Sequence, residues 1–131
     1  MSVQRPEKYV KPANFDQMPP EEKRVVFVHW LMEVLFDLVE KNVPELGRGD
    51  HQLSLCDFPG TRNEAHLFLQ VTMTKRHLFT RMRRPDRDEV LSNYIVSGSK
   101  EEILTYLADK THVPELLESL ESLSREADER W

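Results

Sequence analysis

Residues 64–84, EAHLFLQVTMTKRHLFTRMRR, carry the clearest structural pattern in this chain. In the first half of this stretch, apolar side chains occupy every odd position, at Ala65, Leu67, Leu69, Val71 and Met73. This period of two predicts a strand with one buried face. A second strand-like run, 77–84, follows after only two residues. We therefore expect an antiparallel hairpin with Lys75 and Arg76 as its turn.

This hairpin would separate an apolar face from a face that mixes aromatic and cationic side chains. The expected opposing pairs are Thr74 with His77, Thr72 with Phe79, Gln70 with Arg81, and Phe68 with Arg83. Aromatic residues and arginine are enriched at protein interfaces and at platforms for single-stranded nucleic acid. We therefore predict a partner-binding surface at Phe68, Phe79, Arg81 and Arg83. In the alternative, the phenylalanines lie under other segments and the arginines pair with local acids.

Two more strand-like runs, 51–58 and 90–97, flank the hairpin. Pro59 and Gly60 follow the first run, and Pro85 and Asp86 precede the last, as expected of turns. Sequential strands with short links usually pair with their neighbours. The four runs therefore predict a four-stranded antiparallel meander.

A long apolar helix is predicted before the strands, over residues 20–41. Pro19 and Pro20, followed by two glutamates, form a helix-start signal. The segment is apolar on most sides and must be covered by this chain or by another molecule. Its one polar strip is His29, Glu33, Asp37 and Glu40. We expect this strip to be solvated and not to bind a metal, because no further ligand motif accompanies it.

Two helices are predicted after the strands. Ser99 and Glu102 fit a capping box, and Pro114 begins a final amphipathic helix. We therefore predict an α+β two-layer sandwich with an N-terminal helix, the meander and two C-terminal helices, in a single domain over 16–131. Residues 1–15 are expected to form a flexible arm. The predicted core is Val28, Leu31, Leu35, Leu67, Leu69, Val71, Leu104, Leu107, Leu117 and Leu120.

Composition restricts the class of protein. The chain has 131 residues, a net charge of −5 and one cysteine, Cys56, which cannot form an intramolecular disulfide. The first fifteen residues do not resemble a secretory signal, and the longest apolar region is too short and too polar to span a bilayer. We therefore expect a cytoplasmic protein with no membrane partner.

Catalytic motifs are missing from the sequence. The five histidines and Cys56 show no local nucleophile or metalloprotease signature, and the four glycines form no phosphate-binding loop. We expect Cys56 to be a small buried apolar residue. No catalytic residue, metal site or cofactor is predicted, and we expect that the protein is not an enzyme.

Charge is distributed unevenly along the chain. Residues 75–87 hold six cations and one acid, whereas residues 98–131 hold nine acids and four cations. Such a layout favours an oriented charged partner. In size and layout alone, the chain resembles bacterial immunity proteins, which neutralise a cognate toxin, and secretion chaperones, which hold an effector.

An immunity-type inhibitor is the leading functional hypothesis, with one protein partner. Toxins that cut nucleic acid have basic sites, and an acidic C-terminal helix could cover such a site. The predicted acidic contacts are Glu115, Glu118, Glu121, Glu126 and Asp128. One alternative is a secretion chaperone that dimerises through helix 20–41. The other is a nucleic-acid-binding module, which the net charge of −5 disfavours.

Overall fold

The chain mixes helices with antiparallel strands in a computed structural model that describes residues 4–5, 9–41, 45–46, 53–54, 58–59, 68–73, 76–84 and 89–130. The α-helices are α1 (Pro20–Glu40), α2 (Lys100–Ala108) and α3 (Val113–Arg130). The strands are β1 (Glu45–Leu46), β2 (Leu53–Ser54), β3 (Phe68–Met73), β4 (His77–Arg84) and β5 (Glu89–Ser97). The mixed fold with one N-terminal and two C-terminal helices is confirmed, whereas the four-stranded meander and the two-layer sandwich stay predictions.

β4 lies between β3 and β5 and pairs antiparallel with both. The pairing of β3 with β4 has the predicted register, in which Phe68 faces Arg83, Gln70 faces Arg81 and Thr72 faces Phe79. The predicted turn residue Lys75 lies outside the described residues. β1 and β2 both pair antiparallel with β3. The sequence did not predict β1, and in the described residues the predicted strand 51–58 pairs only at Leu53–Ser54.

Much of α1 is buried by this chain itself. The helix begins with Pro20 in its first turn, beside Glu21 and Glu22, as the sequence predicts. Its buried residues are Phe27, Val28, Leu31, Met32, Glu33, Leu35, Phe36 and Val39. Both α2 and α3 contact α1. A dimer through α1 is therefore not needed to cover it, and such a dimer stays a prediction.

One core joins the three helices to β3, β4 and β5. Its strand residues are Leu69, Val71, Leu78 and Leu91, each at most 5% exposed. Of the predicted core, the residues found buried are Val28, Leu31, Leu35, Leu69, Val71, Leu104, Leu107 and Leu120. Leu117 is only partly buried, and Leu67 lies outside the described residues. The odd-numbered face of the decisive hairpin strand therefore packs into the core as predicted.

The junction between β5 and α2 is fixed by a glycine and a capping box. Ser99 Oγ accepts the Glu102 N–H at 3.2 Å, and the Glu102 carboxylate accepts the Ser99 N–H. Gly98 has φ +142°, and a Cβ added there would lie 3.0 Å from Glu102 Cβ. The Gly98 N–H also donates to Arg76 O at 2.7 Å. Glycine is needed here because the left-handed backbone and the close glutamate both disfavour a side chain.

Leu69→Ala tests whether the odd-numbered face of β3 belongs to the core. Because Leu69 is fully buried, its truncation leaves a cavity and should lower the free energy of unfolding by about 2 to 5 kcal/mol. Denaturant unfolding measures the loss. Val10→Ala is the control, since Val10 is 77% exposed and its loss should be within about 0.5 kcal/mol. Equal effects of the two changes would contradict this burial.

Candidate functional site

The face of β4 and β5 that points away from the core carries an exposed aromatic cluster. We call this face the outer strand surface, and its described residues are His77, Phe79, Arg81, Ser92 and Tyr94. The His77 ring packs edge-on against both aromatic neighbours, with centroids 6.4 Å from Phe79 and 6.3 Å from Tyr94. Tyr94 is 52% exposed, and Phe79 is partly exposed. Three rings therefore form one connected patch in contact with solvent.

A β-bulge places Tyr94 in this patch. Along β5, Val96 is opposite Leu78 and Tyr94 is opposite Phe79, so Ile95 is an extra residue between them. Without the extra residue, strict alternation from Leu78 would put Ile95 opposite Phe79. A bulge changes which face successive side chains occupy. The strand can therefore keep Val96 on the side of Leu78 and still present Tyr94 on the outer strand surface.

Arg81 provides the cation of the outer strand surface. It is exposed, and its neighbours across the two adjoining strands are Gln70 and Ser92. Neither neighbour is an acid, and no carboxylate pairs with Arg81 among the residues that the structure describes. The Arg81 guanidinium is therefore available to an acidic group of a partner.

The other predicted members of this surface are only partly placed. Phe68 and Arg83 are opposite each other across β3 and β4. Their positions in the two strands alternate in step with those of Phe79 and Arg81. The side chains of Phe68 and Arg83 are outside the described part of the structure. The sequence missed His77 and Tyr94 as members of the surface. Strand alternation from Phe79 indicates His77, whereas Tyr94 depends on a bulge that has no local sequence signal.

A polar link below the outer strand surface ties β5 to α3. Thr80 is fully buried, and its hydroxyl donates to Asn93 O at 3.5 Å. The Asn93 side chain then donates through Nδ2 to Ser119 O at 2.5 Å. Buried polar groups require such partners, because an unpaired one costs about 1 to 3 kcal/mol. These bonds hold the two strands that carry the aromatic cluster against the helix beneath them.

The acidic residues of α3 are distributed between exposed and engaged positions. Glu118 is exposed, whereas Glu121 is half-buried and lies 3.7 Å from the Arg24 guanidinium. The Glu115 carboxylate accepts the Tyr106 hydroxyl at 2.9 Å and lies 3.2 Å from His112 Nδ1. Glu126 is exposed and Asp128 belongs to α3, but the side chain of Asp128 is outside the described residues. Glu115 and Glu121 are thus already engaged within the chain.

The junction of α2 and α3 holds a compact polar cluster around His112. The Tyr106 and His112 rings stack with centroids 4.0 Å apart. His112 Nε2 also lies 3.7 Å from Asp109 Oδ2, so each ring nitrogen faces a carboxylate. Hydrogen bonds from Thr111 hold the pKa of Asp109 below its usual value. We interpret this cluster as a helix-joining contact because its members pair with one another.

The polar strip of α1 is only partly solvated: Glu40 is exposed as predicted, whereas Glu33 is buried, contrary to the sequence prediction. Glu33 is 9% exposed. Its carboxylate accepts a hydrogen bond from Arg5 Nη2 at 2.9 Å and another from the Tyr9 N–H at 2.7 Å. Arg5 also lies 2.5 Å from Asp37, and the Tyr9 ring stacks on His29. Arg5 and Tyr9 thus contact α1 residues that lie 20 to 32 positions away in sequence, a distance at which local patterns carry no signal. The flexibility of this arm stays a prediction.

The contacts under the arm set the charge of the strip. Burial raises the pKa of Glu33, but the hydrogen bonds from Tyr9 and Arg5, with attraction to Arg5 and Lys110, outweigh burial and hold the pKa below its usual 4.5. Burial lowers the pKa of His29, and repulsion from Lys110 lowers it further. An ionised carboxylate beside a neutral imidazole is therefore favoured near neutral pH.

Glu33→Gln tests the contact between the arm and α1. Loss of the carboxylate that holds Arg5 and Tyr9 should lower the free energy of unfolding by about 1 to 3 kcal/mol near pH 7. Because the pKa of Glu33 is depressed on folding, its stabilisation is present above pH 4.5, the usual value, and is lost as pH falls through the folded pKa. The difference in the free energy of unfolding between wild type and variant, measured by urea unfolding, should therefore shrink below pH 4.5.

Glu118→Gln is the matched control, because Glu118 is an exposed glutamate on a helix. It should change the free energy of unfolding by no more than about 0.5 kcal/mol at either pH. If the loss of unfolding free energy caused by Glu33→Gln stays constant on acidification, the pKa of Glu33 is not depressed in the folded protein.

Comparisons with known proteins give no information about the function of this chain. No protein-family model, curated protein or solved structure matches the chain. Within the described ranges, no helix has the length and apolar character required to cross a bilayer. In the same part of the chain, no group of three or more His, Cys, Asp or Glu side chains is arranged to hold a metal ion. The outer strand surface is therefore the candidate functional site.

Proposed function

We propose that this protein is a non-catalytic cytoplasmic binding protein that neutralises one protein partner, as an immunity-type inhibitor neutralises a toxin. The contact is the outer strand surface. The observation that carries this proposal is the exposed cluster of His77, Phe79 and Tyr94 beside Arg81. Aromatic and arginine side chains are the commonest hot-spot residues of protein interfaces.

The proposed architecture explains why this surface is free to bind. In it, the three helices form one layer on one face of a four-stranded antiparallel sheet, and the opposite face is left for the partner. The burial of Leu69, Leu78 and Leu91, all on the helix-contacting side of their strands, supports this arrangement. Exposure of Arg81 and Tyr94 on the other side agrees with it.

The chemistry of the surface indicates an acidic partner with an apolar spot. Arg81 can form two parallel hydrogen bonds to a carboxylate, which gives both strength and orientation. Phe79 and Tyr94 can bury apolar area against the partner, and the Tyr94 hydroxyl can hydrogen-bond at its edge. Binding of this kind would neutralise a toxin by covering its functional site.

The acidic face of α3 is the second candidate contact, and it would take a basic partner. Its support is the exposure of Glu115 and Glu118. Such acids would speed association by long-range attraction. Against it, Glu115 and Glu121 already pair with Tyr106, His112 and Arg24 inside the chain. We therefore rank this surface below the outer strand surface.

Two other functions are weaker proposals. A secretion chaperone that dimerises through α1 would need a free apolar face there, but much of that face is packed within the chain. A nucleic-acid-binding module could use the aromatic residues and Arg81 for base stacking. The net charge of −5 opposes it, since affinity for nucleic acid comes largely from neutralising phosphates.

Affinity capture from the native host, with wild type and two variants as parallel baits, tests the proposed contact. Phe79→Ala combined with Arg81→Glu removes one ring and reverses the cation. We expect this double variant to bind the captured partner at least about tenfold more weakly in a titration with purified proteins, because both changes fall at the proposed hot spot. Circular dichroism and thermal unfolding check that the double variant is folded.

Glu118→Lys is the matched control, because it reverses an exposed charge on the other candidate surface. It should leave affinity for an acidic partner within about threefold of wild type. If Glu118→Lys abolishes partner binding and the double variant still binds, the acidic face of α3 is the contact and the outer strand surface is not. Capture of nucleic acid alone, with affinity that falls steeply with salt, would replace the proposal with the nucleic-acid module.

A further inference from the structure

A cleft between the N-terminal segment and α1 is separate from the outer strand surface. Its volume is about 410 Å³, and its lining is Tyr9, Lys11, Phe15, Val26, Phe27 and Trp30. This volume lies within the range of about 300 to 1,000 Å³ that is typical of small-molecule sites. None of these described lining residues belongs to the surface that we assign to the protein partner.

The walls of the cleft are mainly aromatic. Phe27 packs against Trp30 with ring centroids 5.5 Å apart and an interplanar angle of 54°. Phe27 also contacts the buried Phe58 edge-on. Trp30 is 37% exposed, whereas Phe27 is only 7% exposed. The cleft therefore has a fixed apolar wall and a tryptophan that remains accessible to a ligand.

Two kinds of polar group accompany these aromatic walls. Lys11 Nζ lies 4.3 Å from the centroid of the Phe15 ring, and Lys23 Nζ lies 5.4 Å from it, so two ammonium groups are near the cleft. The hydroxyl of Tyr9 is buried and has no hydrogen-bond partner in the described part of the chain. A buried unsatisfied hydroxyl is costly, and a bound acceptor would remove that cost.

The arm that forms one side of the cleft is held at defined points. The Tyr9 N–H donates to Glu33, and Arg5 pairs with both Glu33 and Asp37. The Tyr9 ring also stacks on His29 with an interplanar angle of 7°. The position of Tyr9 relative to α1 is thus set before any ligand arrives, which lowers the ordering cost of binding.

We propose that this cleft is a binding site for a small aromatic carboxylate. The ligand ring would lie against Trp30 and Phe27, and its carboxylate would accept hydrogen bonds from Lys11 and from the Tyr9 hydroxyl. A flat apolar body matches the aromatic walls, and a single anionic group matches the lysines and the free donor. The proposal does not depend on the outer strand surface or on the protein partner.

A titration with 2-naphthoate tests the site in the full-length chain. Trp131→Phe leaves Trp30 as the only tryptophan, so incorporated 5-fluorotryptophan gives one 19F resonance from the cleft. We expect this resonance to shift in a saturable manner, with one site by calorimetry. The neutral analogue 2-naphthalenemethanol should bind about tenfold more weakly, because it has no charge for the lysines.

Two conservative variants test the assigned contacts. Lys11→Gln and Tyr9→Phe should together weaken 2-naphthoate binding about tenfold and leave binding of the neutral analogue within about twofold. Lys41→Gln is the matched control, because Lys41 is an exposed lysine at the other end of α1, and it should bind as wild type does. Thermal unfolding of all three variants checks that each is folded.

Three results would overturn the proposal. The first is a Trp30 resonance that does not move at millimolar 2-naphthoate. The second is equal affinity for the acid and the alcohol, which would remove the assigned role of the cations. The third is equal weakening by Lys41→Gln and by the cleft variants, which would show that binding follows net charge and not this site.

Discussion

The need to bury α1 brings the other helices and the strands together in one core. The helix is apolar around much of its circumference, and each fully buried Leu, Met or Phe contributes about 1.5 to 3 kcal/mol when it leaves water. Residues from α2, α3 and three strands supply the cover, in one core with α1. Lys100 and Arg24 reinforce it at the helix ends, through bonds to Glu40 O and Pro59 O. Elements from both ends of the chain are therefore held around a single helix.

This arrangement also determines which surfaces are left for other molecules. β4 contributes Leu78 to the core, so the alternate residues Phe79 and Arg81 of this strand point away from it. The bulge at Ile95 and the bond from Asn93 to Ser119 then fix where Tyr94 lies relative to α3. The position of the exposed aromatic cluster is thus a consequence of the same packing that buries α1.

Local signals made part of this fold predictable. The capping box at Ser99, the double proline at the start of α1 and the alternation in β3 each act within a few residues, and each leads to the observed element. Long-range contacts were missed. The contact of Arg5 with Glu33 spans 28 positions, and β1 is too short to show a period. For the outer strand surface, alternation placed Phe79 and Arg81 correctly, but the bulge that adds Tyr94 had no signal in the sequence.

Aromatic NMR resonances of the protein, recorded with and without its unlabelled partner, show which surface the partner contacts. Phe79 and Tyr94 report on the outer strand surface, whereas Tyr106 contacts Glu115 and reports on the acidic face of α3. We expect the Phe79 and Tyr94 resonances to shift or broaden on binding and those of Tyr106 to stay in place. A shift of Tyr106 with unchanged Phe79 and Tyr94 would contradict this expectation.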